Sequence, residues 1–312
     1  MRKMSLFLTL ALLGCDQAPT DDPEAPVAPA EYAPAAQPTG SDPVAASGED
    51  ASSRLDEVLA SRPGDVQARY EYRHPKETLE FFGIEPGMTV VEALPGGGWY
   101  SQVLVPYLGE EGRLIGANYD IEMWPKLGFS DDEFIASMKA WPTAWPGEAE
   151  AWRGDDGAAV EAFEFGSMPQ AMEGQADAVL FIRALHNLAR LSDEGNYLTT
   201  ALDEANRALK PGGIVGVVQH EARAEMPDEW ANGDNGYLKK QFVIDQLTEA
   251  GFELVDESGI NENPKDQPSE NDVVWRLPPS YGTSGEDPEL RSEMADIGES
   301  HRMTLKFRKP GG

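Results

Sequence analysis

Apolar residues along this chain gather in short, nearly continuous runs separated by amphipathic stretches, a pattern that predicts buried strands joined by helices. Met88 to Leu94, with its adjacent valines, is the clearest run and reads as a strand covered on both faces. Arg113 to Ala117, Ala178 to Ile182, Ile214 to Gln219 and Phe252 to Asp256 repeat the pattern, and a third strand is placed at Phe163 to Ser167. Helical patterning covers Ser53 to Leu59, Pro75 to Phe82, Tyr197 to Leu209 and Gly236 to Ala250. The second of these has Pro75 at its first position and Glu77 and Glu80 in its early turns. Arg302 to Arg308 alternates Met303, Leu305 and Phe307 with polar neighbours. The fold class expected is therefore α/β, a doubly wound, mostly parallel sheet with a C-terminal antiparallel edge strand.

The first residues break the pattern. Arg2-Lys3 precedes an apolar run from Met4 to Leu13, too short to span a bilayer comfortably, so residues 1 to 14 read as a secretory signal peptide. Leu12-Leu13-Gly14-Cys15 resembles the lipobox of bacterial lipoproteins, which implies lipid on Cys15. An ordinary signal with an incidental cysteine is the alternative. Asp16 hints at retention on the inner membrane, so the expected location is exported, lipid-anchored on the periplasmic face. Residues 15 to 53 are dominated by Ala, Pro, Ser, Gly and acidic residues, with Tyr32 the only aromatic. Such a stretch lacks the apolar area to offset ordering entropy and reads as a tether. Residues 54 to 312 form the expected folded domain.

Composition narrows the chemistry. With 25 basic against 55 acidic residues, a formal charge of −30, the chain repels nucleic acid. Cys15 is the only cysteine, which excludes an intramolecular disulfide and leaves no second thiol for catalysis. The four histidines, His74, His186, His220 and His301, show no ligand-like spacing, so no metal site is expected.

The most informative stretch is Val90-Val91-Glu92-Ala93-Leu94-Pro95-Gly96-Gly97-Gly98-Trp99-Tyr100. Glycines between a buried strand and a helix let the backbone turn tightly and approach a ligand closely. Together with Arg73-His74-Pro75, Phe81-Phe82-Gly83-Ile84, Pro86-Gly87-Met88, Leu209-Lys210-Pro211-Gly212-Gly213 and Glu249-Ala250-Gly251-Phe252, this stretch resembles class I, Rossmann-like S-adenosylmethionine (SAM)-dependent methyltransferases. More narrowly, it resembles a family of secreted or lipoprotein methyltransferases.

The resemblance implies SAM as cofactor and assigns roles by position. Glu92 matches the acid of the first strand that orders the glycine loop. Pro95, Gly96, Gly97, Gly98 and Tyr100 form or flank that loop. The acid that holds the ribose is replaced by Asn118 at the end of the second strand, with Asp120 two residues on as the other candidate. No acid stands out after the third strand for the adenine. Asp177 to Asn187 matches the fourth strand and its exit loop beside the transferred methyl, which makes Arg183, His186 and Asn187 candidate catalytic residues. His186 is read either as a general base titrating near neutral pH or as a structural histidine. His74 is read as lining the mouth of the site or as capping a helix. The acceptor, a small molecule, a lipid or a protein side chain, is not specified. Export away from cytoplasmic SAM keeps a non-catalytic ligand-binding module open as a second reading, and an NAD(P)-dependent dehydrogenase is a third.

Overall fold

The computed structural model describes residues 48–285 and 287–311. The expected signal peptide, Cys15 and the expected tether up to residue 47 lie outside the described residues. The helix α1 (Gly48–Ala60) begins ahead of the boundary expected at residue 53. Glu49 and Asp50 suit its positive N-terminus, and Ala51, Leu55 and Leu59 bury one face, so the end of the acidic stretch is helical.

Short helices α2 (Gly64–Gln67), α3 (Tyr70–Arg73) and α4 (Pro75–Phe82) lead into β1 (Thr89–Ala93), α5 (Ser101–Leu108) and β2 (Arg113–Asn118). There follow α6 (Met123–Lys126), α7 (Asp132–Ala149), β3 (Ala159–Glu164), β4 (Ala176–Ile182), α8 (Leu185–Arg190), α9 (Ser192–Gly195) and α10 (Tyr197–Ala208). The long strand β5 (Leu209–Ala222) is followed by β6 (Leu238–Lys239), α11 (Lys240–Glu249), β7 (Glu253–Ser258), α12 (Pro288–Ile297) and β8 (Arg302–Arg308). The sheet order is β3-β2-β1-β4-β5-β8-β7, with β6 beside β5. Its strands are parallel from β3 through β5, and β8 is antiparallel to both neighbours.

Alternate residues of each central strand supply two cores. Val91, Ala93, Val179 and Phe181 face α8, α10 and α11. Val90, Leu114, Ala178 and Leu180 face α1, α4, α5 and α7. Burial on both sides explains why these strands read as unbroken apolar runs. Among the described residues no helix is long and apolar enough to cross a membrane.

Three expectations need correction. β8 is not the edge: Arg302 and Thr304 are buried along with Met303, Leu305 and Phe307, and the exposed strand β7 lies outside it. The third strand is Ala159–Glu164, since Gly166, at φ 92°, already belongs to a turn. The helix expected from Gly236 starts at Lys240, because Gly236 has φ 86° and Leu238–Lys239 pairs with β5.

Candidate functional site

A cavity of about 550 Å³ opens where β1 and β4, adjacent in the sheet, end and their chains diverge. That is the position at which parallel α/β sheets gather ligands. Both strands leave the sheet through left-handed residues that are not glycine, Leu94 at φ 51° and Arg183 at φ 60°. Each still extends the ladder, Leu94 N–H donating to Ala117 O and Arg183 N–H to Val218 O, both at 2.7 Å. Left-handed backbone in a half-buried arginine is held against its preference, and such strain collects where side chains must be aimed.

Leu94 to Gly97 with Ile182, Arg183, His186 and Asn187 form the inner end of the cavity. One wall comes from Arg62, Arg69 and Arg73, ahead of β1. The opposite wall is apolar, with Trp275, Pro278 and Pro279 from the long segment between β7 and β8, which also supplies Glu299. Glu299 Oε1 accepts from Arg69 Nε at 2.8 Å and Arg73 Nε at 3.0 Å, and Arg302 Nη1 lies 3.4 Å from Oε2. Burial opposes ionisation of Glu299, but the arginines around it outweigh burial and hold its carboxyl below the usual range. The Arg73 guanidinium also stacks over Trp99, 4.5 Å from the ring centre.

Of the residues expected from sequence, Pro95, Gly96, Gly97, Arg183, His186 and Asn187 line the cavity. Glu92 lies behind the loop, fully buried, accepting from Ser101 Oγ at 2.6 Å at the start of α5. Burial raises its pKa to about 7, against the opposing pull of Ser101 and Arg183. The folded state thus favours protonated Glu92, and stability from this group falls as pH rises from about 4.5 to 7. Relative to wild type, Glu92→Gln is expected to gain on the order of 3 kcal/mol across that range, measured by urea unfolding at pH 4.5 and 7.

The remaining expected residues stand away from the cavity lining. Gly98 serves packing, since a Cβ there would lie 2.4 Å from the Trp152 ring. Tyr100 is buried in the core, its hydroxyl 3.4 Å from Arg73 O. Asn118 Oδ1 accepts from Tyr119 N–H and Asp120 Oδ1 from Glu122 N–H, both at 2.8 Å. Neither residue is among the cavity lining, and in each one side-chain oxygen is engaged by its own local backbone. His74 is a left-handed joint between α3 and α4, so its neighbour Arg73 takes the place expected of it.

His186 does not titrate near neutrality. Burial, more than any other cause, pushes its pKa down to about 4, and His220, 5.5 Å away between ring centres, is also held well below its usual value by burial. The Gly236 carbonyl accepts from Gln219 Nε2 at 3.0 Å, which turns the Gln219 amide oxygen towards His186 Nδ1. That orientation places the imidazole proton on Nδ1 and leaves the Nε2 lone pair free. The C2–H signals of His186 and His220 are expected not to shift between pH 5.5 and 8 in an NMR titration. A midpoint near 6.5 for either would contradict this assignment.

Sequence reasoning missed Glu164, the last residue of β3, whose Oε1 is buried without a hydrogen-bond partner. It also missed Arg62, Arg69, His220, Trp275 and Glu299. The one signal available was the run Arg62, Arg69, Arg73 in a strongly acidic chain.

Comparison with protein-family models and with curated proteins finds no match. Among solved structures, the chain is similar to a SAM-dependent methyltransferase from Aquifex aeolicus, with TM-score 0.45, 15% identity, and 81% of this chain and 97% of that one covered. It is similar to a putative methyltransferase from Bacillus halodurans at TM-score 0.44 and 15% identity, covering 76% and 99%. It is also similar to the cyclase SpnF at TM-score 0.43 and 17% identity, covering 77% and 81%. Such likeness concerns the course of the chain, and function has to be argued from the site.

Proposed function

We propose that this domain binds SAM at the carboxyl ends of β1, β2 and β3 and transfers its methyl group to an acceptor in the adjoining cavity. The observation that carries the reading is the loop after β1: Gly96 and Gly97 line the cavity, and a Cβ at Gly97 would meet nothing within 4 Å. Backbone bare of side chains at a strand end suits close approach by a ligand. The unpartnered Glu164 Oε1 suits a donor on a nucleoside. Leu94 to Gly97 would hold the amino-acid end and Glu164, with Asn118, the nucleoside end. Bound SAM supplies an electrophilic methyl, for which positioning provides much of the rate.

Arg183, His186 and Asn187, which line the same cavity, would face the acceptor. His186, neutral with its Nε2 lone pair available, would accept a hydrogen bond from a hydroxyl or amine acceptor and orient it, while the burial that lowers its pKa disfavours its taking the proton outright. The lipobox-like Leu12 to Cys15 supports an exported domain anchored by lipid on Cys15 and exposed to small-molecule, lipid or protein acceptors. Cys15→Ser is then expected to shift the protein from the detergent phase to the aqueous phase, and a wild-type protein without lipid would remove the anchoring proposal.

Calorimetry with SAM, S-adenosylhomocysteine and NAD tests the central reading. SAM and S-adenosylhomocysteine are expected to bind and NAD not to. Gly97→Val, whose side chain enters open space, is expected to fold with stability within about 1 kcal/mol of wild type while losing at least about tenfold in SAM affinity, roughly 1.4 kcal/mol. No heat with either adenosyl compound at millimolar concentration would sink the enzyme reading in favour of a binding module, and binding of NAD alone would favour the dehydrogenase.

A further inference from the structure

The cavity carries charge opposite to that of the molecule around it. In a chain with 55 acidic and 25 basic residues, its lining holds four arginines, Arg62, Arg69, Arg73 and Arg183, against one carboxylate, Glu299. Arg302, behind Glu299, adds to the positive side. The two histidines on the lining offset nothing, being neutral.

Glu299 does not satisfy these arginines. Its oxygens accept from Arg69 through both Nε and Nη2 and from Arg73 through Nε, while Arg73 Nη1, Arg183 Nε and Arg62 Nε are buried without any hydrogen-bond partner. Arg73 is 3% exposed. Burial first, and then the charge of Arg183, push its pKa down to about 9, which reflects positive charge crowded beyond what one carboxylate balances. Buried guanidinium N–H groups without an acceptor are unfavourable, so the cluster is short of an anion. Guanidinium groups match the planar, multi-oxygen face of phosphate and carboxylate. Across the cavity, Trp275, Leu277, Pro278 and Pro279 offer no charge and a flat apolar surface.

We propose that the cavity takes an acceptor made of an oxyanion, phosphate or carboxylate, on an apolar or aromatic body, with the arginines holding the anion and the Trp275–Pro279 wall covering the body. The acceptor role rests on the methyltransferase reading, whereas the oxyanion site rests on the cavity alone. SAM carries a carboxylate of its own, so the test has to separate the two sources.

The full chain is titrated calorimetrically with phenyl phosphate, benzoate and inorganic phosphate, with and without saturating S-adenosylhomocysteine. Phenyl phosphate or benzoate is expected to bind, the tighter of the two naming the oxyanion, with affinity changed less than about twofold by S-adenosylhomocysteine and lowered at least about tenfold in Arg73→Gln and Arg62→Gln. Arg62, half-buried and bonded through its other nitrogens to Gln102, provides the variant that keeps the fold if Arg73→Gln does not. Trp275→Ala is expected to weaken phenyl phosphate about fivefold or more and leave inorganic phosphate unchanged, as loss of an aromatic contact alone would. Competition between the anions and S-adenosylhomocysteine would assign the arginines to the cofactor's carboxylate and overturn the acceptor site. Absence of anion binding, or equal affinities in wild type and both arginine variants, would overturn the oxyanion site itself. Should S-adenosylhomocysteine fail to bind while phenyl phosphate binds and Arg62→Gln weakens it, the methyltransferase reading falls and the oxyanion site stands.

Discussion

Gly98→Val is expected to destabilise the domain by about 3 kcal/mol or more, as the sum of left-handed backbone strain and overpacking. Gly98 sits at φ 74°, where a β-branched residue is held against its preference. Its missing side chain leaves room for the Trp152 ring, which a new Cβ would meet at 2.4 Å. Trp152 is not free to swing away, because it packs edge-on against the buried Trp145, their ring centres 6.3 Å apart. Urea unfolding of Gly98→Val, Trp152→Ala and the double variant separates the contributions. The double variant is expected to be more stable than the sum of the single effects by at least about 1 kcal/mol, since the clash disappears with the ring and the strain remains. A Gly98→Val protein as stable as wild type would show that the glycine serves only ligand approach. Adjacent glycines thus divide the work, Gly97 facing open cavity and Gly98 facing the core.

That division was invisible in the sequence, where Pro95-Gly96-Gly97-Gly98 reads as one cradle. Trp152 is 54 residues from Gly98 in the chain, and no spacing rule connects them. What periodicity did reveal was burial: β1 and β4 are covered on both faces and stood out as apolar runs. β3 lies at the sheet edge with Glu161 and Glu164 among its residues, so its pattern was weak and its acid was overlooked. β8 was found at the right residues and placed one strand too far out, because the buried Arg302 and Thr304 look like solvent-facing positions. The arginine wall was hidden for the same reason. Arginine in sequence reads as surface, and the carboxylate that draws Arg69 and Arg73 inward lies 230 and 226 residues away. Strand-end residues such as Pro95 to Gly97 and Arg183 to Asn187 were legible because local motif and fold position coincide there.

Glu299→Gln is expected to lower stability at pH 7 by about 3 to 5 kcal/mol, the usual loss when one partner of a buried ion pair is removed. Glu299 is 4% exposed, and Arg73 and Arg302 are similarly buried, so water cannot replace the lost charge. Because the arginines hold its carboxyl below the ordinary range, this contribution is fully present above about pH 4.5 and is lost as pH falls through the lowered value. Wild type and variant are therefore expected to converge in stability on acidification below that point. A contrasting pair exists on the surface, where Arg308 and Glu253 lie 3.1 Å apart with about half of each side chain exposed. Glu253→Gln is expected to change stability by less than about 0.5 kcal/mol, because water and salt screen that pair. Phosphate separates the variants further. At 50 mM it should stabilise Glu299→Gln more than wild type, since the uncompensated guanidinium groups gain an anion in place of the carboxylate. Equal stabilisation of the two by phosphate, with a loss of less than about 1 kcal/mol in Glu299→Gln, would mean that the arginines reach solvent and need no internal counter-charge.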